Sequence, residues 1–218
     1  MSMTISALQA RLGTPADGQW GPASRTALLQ AFTNTQAPAV AAADIEAIAA
    51  RLGCSVAQLR AVGAVESGGA AFDAQGRPKI LFERHLFHRA TGGRFTPAPY
   101  SQPTFGGYGE SSWDKLTAAA GKDVDAAFGS ASWGKFQVLG RYWQALGYGS
   151  AFDLALSTVA GEAEHYELLA RFVSINNLKP ALRAMTSDPE TCRGFARGYN
   201  GPAYERNAYH TKLAAALR

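Results

Sequence analysis

Glu66 is the residue whose setting most invites chemistry. It stands in the run Ala64-Val65-Glu66-Ser67-Gly68-Gly69, and behind it Val62, Leu59 and Val56 recur at helical spacing on its own face. The pattern predicts a helix that ends in a carboxylate turned toward the protein interior. Burying a lone carboxylate is costly unless it is paired or neutralised. Desolvation disfavours the charged form, and the negative end of the helix dipole repels it. Both effects favour a carboxylic acid that keeps its proton near neutral pH, the state a general acid needs to cleave a glycosidic bond. The competing reading is a solvated Glu whose side chain swings out from the last turn.

The elements that would position Glu66 are legible around it. Ser55-Val56-Ala57-Gln58 is a capping box for its helix, and Gly68 and Gly69 would end it. Before it, Asp44 can cap a helix carrying Ile45, Ile48 and Leu52, closed by Gly53. After it, Pro78-Lys79-Ile80-Leu81-Phe82 reads as a short strand, with helix as the alternative. Residues 92–109 are rich in Gly, Pro and aromatics, which predicts a long ordered loop, either functional or simply wrapped on the surface. Helical patterns then predict one long helix over roughly 154–175 and another over about 178–185. Asp188-Pro189 opens a helix to about Arg197, and a last helix covers about Glu205 to Leu217.

Residues 36–43, small and uncharged, read as a linker. Residues 1–35 ahead of it form a short helical module. Ile5, Leu8 and Leu12 share a face, Gly13 stops the first helix, and Asp17-Gly18 marks a turn. Pro22 then sits in a first helical turn, followed by the stripe Leu28, Leu29 and Phe32. A segment this small buries little alone and must lean on the larger domain, residues 44–218, or be marginal.

With 218 residues the chain suits one sizeable domain plus an appendage. Lys and Arg outnumber Asp and Glu by 21 to 17, a scattered excess that fits an anionic surface but forms no nucleic-acid-binding block. No apolar run is long enough for a membrane span, and the N-terminus lacks the pattern of a signal peptide. Cys54 and Cys192 have no metal or redox spacing and are expected as free buried thiols. Glu83, His85 and His88 do not match a zinc motif, so neither metal nor cofactor is expected.

Three stretches in order carry a resemblance. They are Val65-Glu66-Ser67-Gly68, Ser132-Trp133-Gly134-Lys135-Phe136-Gln137-Val138 and Ala196-Arg197-Gly198-Tyr199-Asn200-Gly201. Together they resemble the lysozyme-like superfamily of goose-type lysozymes and soluble lytic transglycosylases. Residues 44–218 look more closely like the N-acetylmuramidase domain of phage endolysins, through Gly76–His85, Ser130–Gly134 and Ala196–Pro202. Residues 5–32 resemble the first part of a peptidoglycan-binding module, but the linker arrives before that module's usual further helix.

The resemblance implies a mainly α fold: a lysozyme-like helical domain with at most a small β-hairpin, plus the N-terminal helical module. It implies a muramidase that cuts between N-acetylmuramic acid and N-acetylglucosamine, with Glu66 as general acid. Glu83 is the favoured second carboxylate, since a strand from Ile80 would aim alternate residues at the cleft. Asp73 is its rival, and pairing of Glu83 with Arg84 or Arg89 is its structural alternative. Ser132, Gln137, Tyr199 and Asn200 are expected to bind substrate, with the Tyr199 hydroxyl near the Glu66 carboxyl. If no base stands across the ring, attack by the muramoyl 6-hydroxyl would give 1,6-anhydro products instead. A non-catalytic peptidoglycan-binding phage structural protein is the other alternative. The partners implied are peptidoglycan glycan strands and a holin-type protein. The chain is expected to be a monomer held in the host cytoplasm until release.

Overall fold

A computed structural model describes residues 2–66 (of Glu66, the backbone), 70–95 and 111–218. The expected helix stop at Gly68-Gly69 and most of the expected loop over 92–109 lie outside the described residues, as does the direction of the Glu66 side chain.

The chain opens with helices α1 (Ile5–Arg11) and α2 (Pro22–Ala31). Thr4 Oγ1 caps α1 by accepting from the Ala7 amide at 3.1 Å, and Gly13 leaves it at φ +70°. Buried Gln9 holds the connecting turn. Its amide nitrogen reaches Asp17 Oδ1, the Gln19 carbonyl and Ser24 Oγ at 2.8–3.0 Å, and its oxygen accepts from the Gly18 amide at 2.8 Å. Phe32, just past α2, is fully buried among Trp113, Phe128, Trp133 and Phe152, with ring centroids 5.3–6.0 Å away. Trp20 lies on Gly121, where a Cβ would overlap its ring, and donates to the Thr117 carbonyl at 2.7 Å. Residues 2–35 therefore share one apolar core with the rest of the described chain.

Helices α3 (Ala42–Leu52) and α4 (Val56–Glu66) follow the linker. Asp44 is not the cap of α3. The helix begins two residues earlier behind extended Ala41, because Ala42 and Ala43 are strong helix formers, and Asp44 lies in the first turn, where its charge still complements the dipole. The capping box of α4 forms: the Gln58 amide donates to Ser55 Oγ at 3.1 Å and the Ser55 amide to Gln58 Oε1 at 2.9 Å. Leu59 and Val62 of its stripe are fully buried.

Strand β1 (Ile80–Phe82), α5 (Arg84–Ala90), α6 (Ser112–Ala120), α7 (Val124–Gly129), β2 (Ala131–Trp133) and β3 (Val138–Leu139) come next. They form a three-stranded antiparallel sheet in the order β1-β2-β3, with Leu81 opposite Ser132 and Ser132 opposite Leu139. The β2–β3 hairpin is thus joined by the strand read from Pro78–Phe82. Phe82, Ala131, Trp133 and Val138 are buried in the aromatic core. By the pleat, Leu81, Ser132 and Leu139 take the opposite face.

The remaining helices are α8 (Ala151–Ser157), α9 (Glu162–Ile175), α10 (Lys179–Ala184), α11 (Pro189–Asn200) and α12 (Tyr209–Ala216). The single helix expected over 154–175 is two. The Thr158 carbonyl is taken by the His165 ring at 2.7 Å, the Glu162 amide donates to Pro38 of the linker at 2.9 Å, and a Cβ on Gly161 would stand 2.8 Å from Pro38. A distant segment thus starts the second helix. The last expected helix is also split, by Ala208 in the left-handed region at φ +51°. Among the described residues no single helix is long and apolar enough to cross a membrane. Cys54 and Cys192 are both free thiols; Cys192 is buried and Cys54 only partly so.

Candidate active-site groove

An open groove of about 560 Å³ runs between the 70–79 turn, the start of α6 and the β2–β3 turn. Asp73, Arg77 and Lys79 form one wall, Trp113 adds an aromatic side, and Lys135 and Gln137 form the other wall. Ala70 also lines it, four residues past Glu66, the last residue of α4.

The β2–β3 turn is built by contacts from far along the chain. Gly134 adopts φ +69°, and a Cβ there would stand 2.6 Å from His165 Nδ1, so glycine is required twice over. The Lys135 amide donates to His165 Nδ1 at 2.8 Å, which leaves Nε2 to donate to the Thr158 carbonyl. This is the neutral imidazole with its proton on Nε2. Burial is the main reason that His165 titrates at about 4, with the Lys135 charge adding to it; the Thr158 carbonyl and Glu162 oppose. Lys135 itself is buried and pairs with Glu162 Oε1 at 3.0 Å, while Glu162 Oε2 accepts from the Val40 amide at 3.0 Å. Burial raises the Glu162 pKa, but the Val40 hydrogen bond and the Lys135 pair outweigh it and hold this carboxyl below its ordinary range.

Within this turn Gln137 is held in the left-handed region at φ +52°. Its side-chain nitrogen donates to the Gly134 carbonyl at 2.9 Å, and its side-chain oxygen has no hydrogen bond among the described residues. Tyr199 donates its hydroxyl to the Phe136 carbonyl at 2.7 Å, and Phe136 packs edge-on against Tyr166 at 4.8 Å. The Tyr166 hydroxyl in turn fills the space where a Cβ on Gly63 would be. Burial, reinforced by Glu162, raises the Tyr166 pKa. A continuous packed chain therefore joins the turn that carries Gln137 to the residue three positions before Glu66.

The sequence-predicted residues fall into three groups. Gln137 lines the groove, and Tyr199 braces its wall through Phe136; the expected approach of the Tyr199 hydroxyl to the Glu66 carboxyl lies outside the described residues. Asn200 is the last residue of α11, followed by Gly201 at φ +77°. Ser132 sits mid-strand on the Leu81 face and does not line the groove. Of the two candidate carboxylates, Asp73 lines the groove, where its oxygens accept from the Gln75 and Arg77 amides and from Arg77 Nε at 2.9–3.0 Å. Glu83 instead heads α5, with Oε2 3.4 Å from His85 Nδ1, and does not line the groove.

Lys79, Arg77, Trp113 and the Lys135–Glu162–His165 cluster were not singled out by the sequence for the site. The traces of the cluster in the sequence are Lys135, inside the Ser132–Val138 stretch, and the acidic start of α9, Glu162 and Glu164, ahead of His165. A second groove of about 490 Å³ lies beside α5 and α7, with Arg89, Asp125, Arg141 and Trp143 in its walls. It holds none of the sequence-predicted residues. No group of three or more His, Cys, Asp or Glu side chains suited to a metal ion occurs among the described residues.

Comparison with known proteins gives a family match and a structural match. The family model Muramidase, described as N-acetylmuramidase, matches residues 55–218. The crystal structure of Burkholderia AP3 phage endolysin superposes with a TM-score of 0.70 at 33% sequence identity, over 98% of this chain and 82% of that chain. No curated protein matches the chain.

Proposed function

This chain belongs to the N-acetylmuramidase family, and on that premise we propose that Glu66 is the general acid of an endolysin that cuts the β-1,4 bond between N-acetylmuramic acid and N-acetylglucosamine. The protein is a glycoside hydrolase acting on peptidoglycan, of the phage endolysin kind. The observation that carries the finer reading is the position of Glu66 at the end of α4, four residues before Ala70 in the wall of the groove that holds Gln137.

In this mechanism the Glu66 carboxyl protonates the bridging oxygen, and positive charge builds on the ring as the bond breaks. The Gln137 side-chain oxygen accepts from a sugar hydroxyl or an N-acetyl N–H. Tyr199 keeps the wall in register by tying the Phe136 carbonyl. Ser132 and Asn200 support the cleft from the sheet and from the end of α11. Water attacks from the opposite face with help from a second carboxylate. Asp73 is the stronger candidate for that role because it lines the groove, and Glu83 is the other. As an endolysin the protein would act as a monomer, waiting in the host cytoplasm until a holin-type partner opens the membrane.

Product chemistry tests this reading. Digestion of purified peptidoglycan is expected to release reducing muramic acid ends, each heavier by one water than the anhydro form. Anhydro-muramic ends would instead make the protein a lytic transglycosylase, and no release of glycan fragments would remove the muramidase reading.

A further inference from the structure

Among the described residues three cations line the groove, and two are already committed. Arg77 Nε pairs with Asp73 Oδ2 at 3.0 Å, and its guanidinium lies 5.4 Å from the Trp113 ring centroid. Lys135 Nζ pairs with Glu162 at 3.0 Å. Lys79 differs. Its main chain is fixed on both sides: its amide donates to the Ala71 carbonyl at 2.9 Å, and its carbonyl accepts from the Gly134 amide at 2.8 Å and from Gln137 Nε2 at 3.4 Å. Its side chain is half-buried and makes no ion pair or hydrogen bond with any described residue. Two residues on, Leu81 lines the same groove at 36% exposure, and alternation puts Lys79 on that side of the extended chain.

An uncommitted ammonium on a fixed main chain, beside Gln137 in an open groove, matches an anionic group on the ligand. A muramic acid glycan supplies one and an N-acetylglucosamine polymer does not. Each muramoyl unit carries a lactyl arm that ends in a carboxylate when bare and in a peptide with its own carboxylates when substituted. We propose that Lys79 forms an anion subsite that binds a carboxylate carried on the lactyl arm. It thereby selects muramic acid glycans over uncharged polymers of the same linkage. This rests on the groove being the substrate cleft.

The test compares wild type, Lys79→Gln and Lys79→Arg on three substrates: peptide-free glycan strands, the same strands with their carboxylates amidated by methylamine, and intact peptidoglycan. Lys79→Gln is expected to raise KM on peptide-free strands about tenfold at little-changed kcat, the signature of lost ground-state binding. Lys79→Arg recovers most of the loss, and on amidated strands wild type and Lys79→Gln become equal. A difference confined to intact peptidoglycan also supports the subsite and assigns the carboxylate to the peptide. Equal KM values for wild type and Lys79→Gln on every substrate would overturn it. So would an equal loss on amidated strands, because a merely structural lysine would act there too. If wild type cleaves nothing, the proposed function fails on its own, and binding of peptide-free strands and of intact peptidoglycan by wild type and Lys79→Gln then decides the subsite: tighter binding of either by wild type supports it, equal binding of both overturns it.

Discussion

The two walls of the groove are braced by different means. The β2–β3 wall is held by a buried, partly charged cluster: neutral His165 behind Gly134 and Lys135, and the Lys135–Glu162 pair. The 70–79 wall carries its own Asp73–Arg77 pair, and it is anchored to the N-terminal segment by uncharged contacts. The Asn34 amide donates to the Gly76 carbonyl at 2.8 Å, and a Cβ on Gly76 would stand 2.9–3.0 Å from the Asn34 and Thr35 backbone. Asn34 is tied in turn to the Val159 carbonyl at 2.9 Å, in the break between α8 and α9. The bracing of the β2–β3 wall therefore carries a pH dependence through His165 and Glu162, while the attachment of the 70–79 wall depends on Asn34 and Thr35 of the N-terminal segment. That segment thus shapes the site as well as offering any affinity for the cell wall.

The comparison breaks most simply at Phe32. If residues 1–35 were an independent module, Phe32→Ala would leave the melting of the large domain unchanged. Because Phe32 fills the centre of the aromatic cluster, the substitution is expected to cost about 4 kcal/mol in urea unfolding.

The pH dependence comes next. His165 titrates at about 4 in the folded protein against 6.5 as its ordinary value, so between these values the unfolded chain binds the extra proton. Stability from this group is complete above about 6.5 and falls as the pH drops toward about 4, by about 3 kcal/mol in all. Glu162, held below its ordinary range, loses its contribution in the same direction at more acid pH. Denaturant titrations from pH 7 to pH 4 check this, and His165→Gln should flatten the upper part of the slope.

Gly134→Ala sharpens the contrast on the same wall. A methyl 2.6 Å from His165 Nδ1, at φ +69°, is expected to cost about 2 kcal/mol and to lower activity by displacing Gln137. The smallest effect is expected from Asn34→Ala on the opposite wall: about 1 kcal/mol of stability for the lost side-chain hydrogen bonds to the Val159 carbonyl and from the exposed Gln36 amide, with the His165-linked pH slope unchanged.

What was legible in the sequence was local. The Ser55/Gln58 capping box, Asp188 and Pro189 at the start of α11, and the Leu59/Val62 stripe depend on residues within a few positions of each other. What was not legible is held by distant partners. The break before α9 depends on Pro38, and the hairpin turn depends on His165, 30 positions from Lys135. Gly134-Lys135-Phe136-Gln137 carries no ordinary two-residue turn signal, so the hairpin inside that motif did not announce itself. Of the proposed site residues, Glu66 was suggested by a helical stripe and Gln137 by a motif. Lys79 lies in a stretch read as a possible strand and as part of the resemblance, and it became visible as a binding group once the charges around it were seen to be paired.

The central claim is that Glu66 donates the proton. The direct measurement is the rate of reducing-end release from purified peptidoglycan by wild type and Glu66→Gln, with urea unfolding of both in parallel. The account predicts a fall in kcat of roughly a hundredfold or more at unchanged stability, as expected for loss of a general acid. Full activity in a folded Glu66→Gln protein would contradict it.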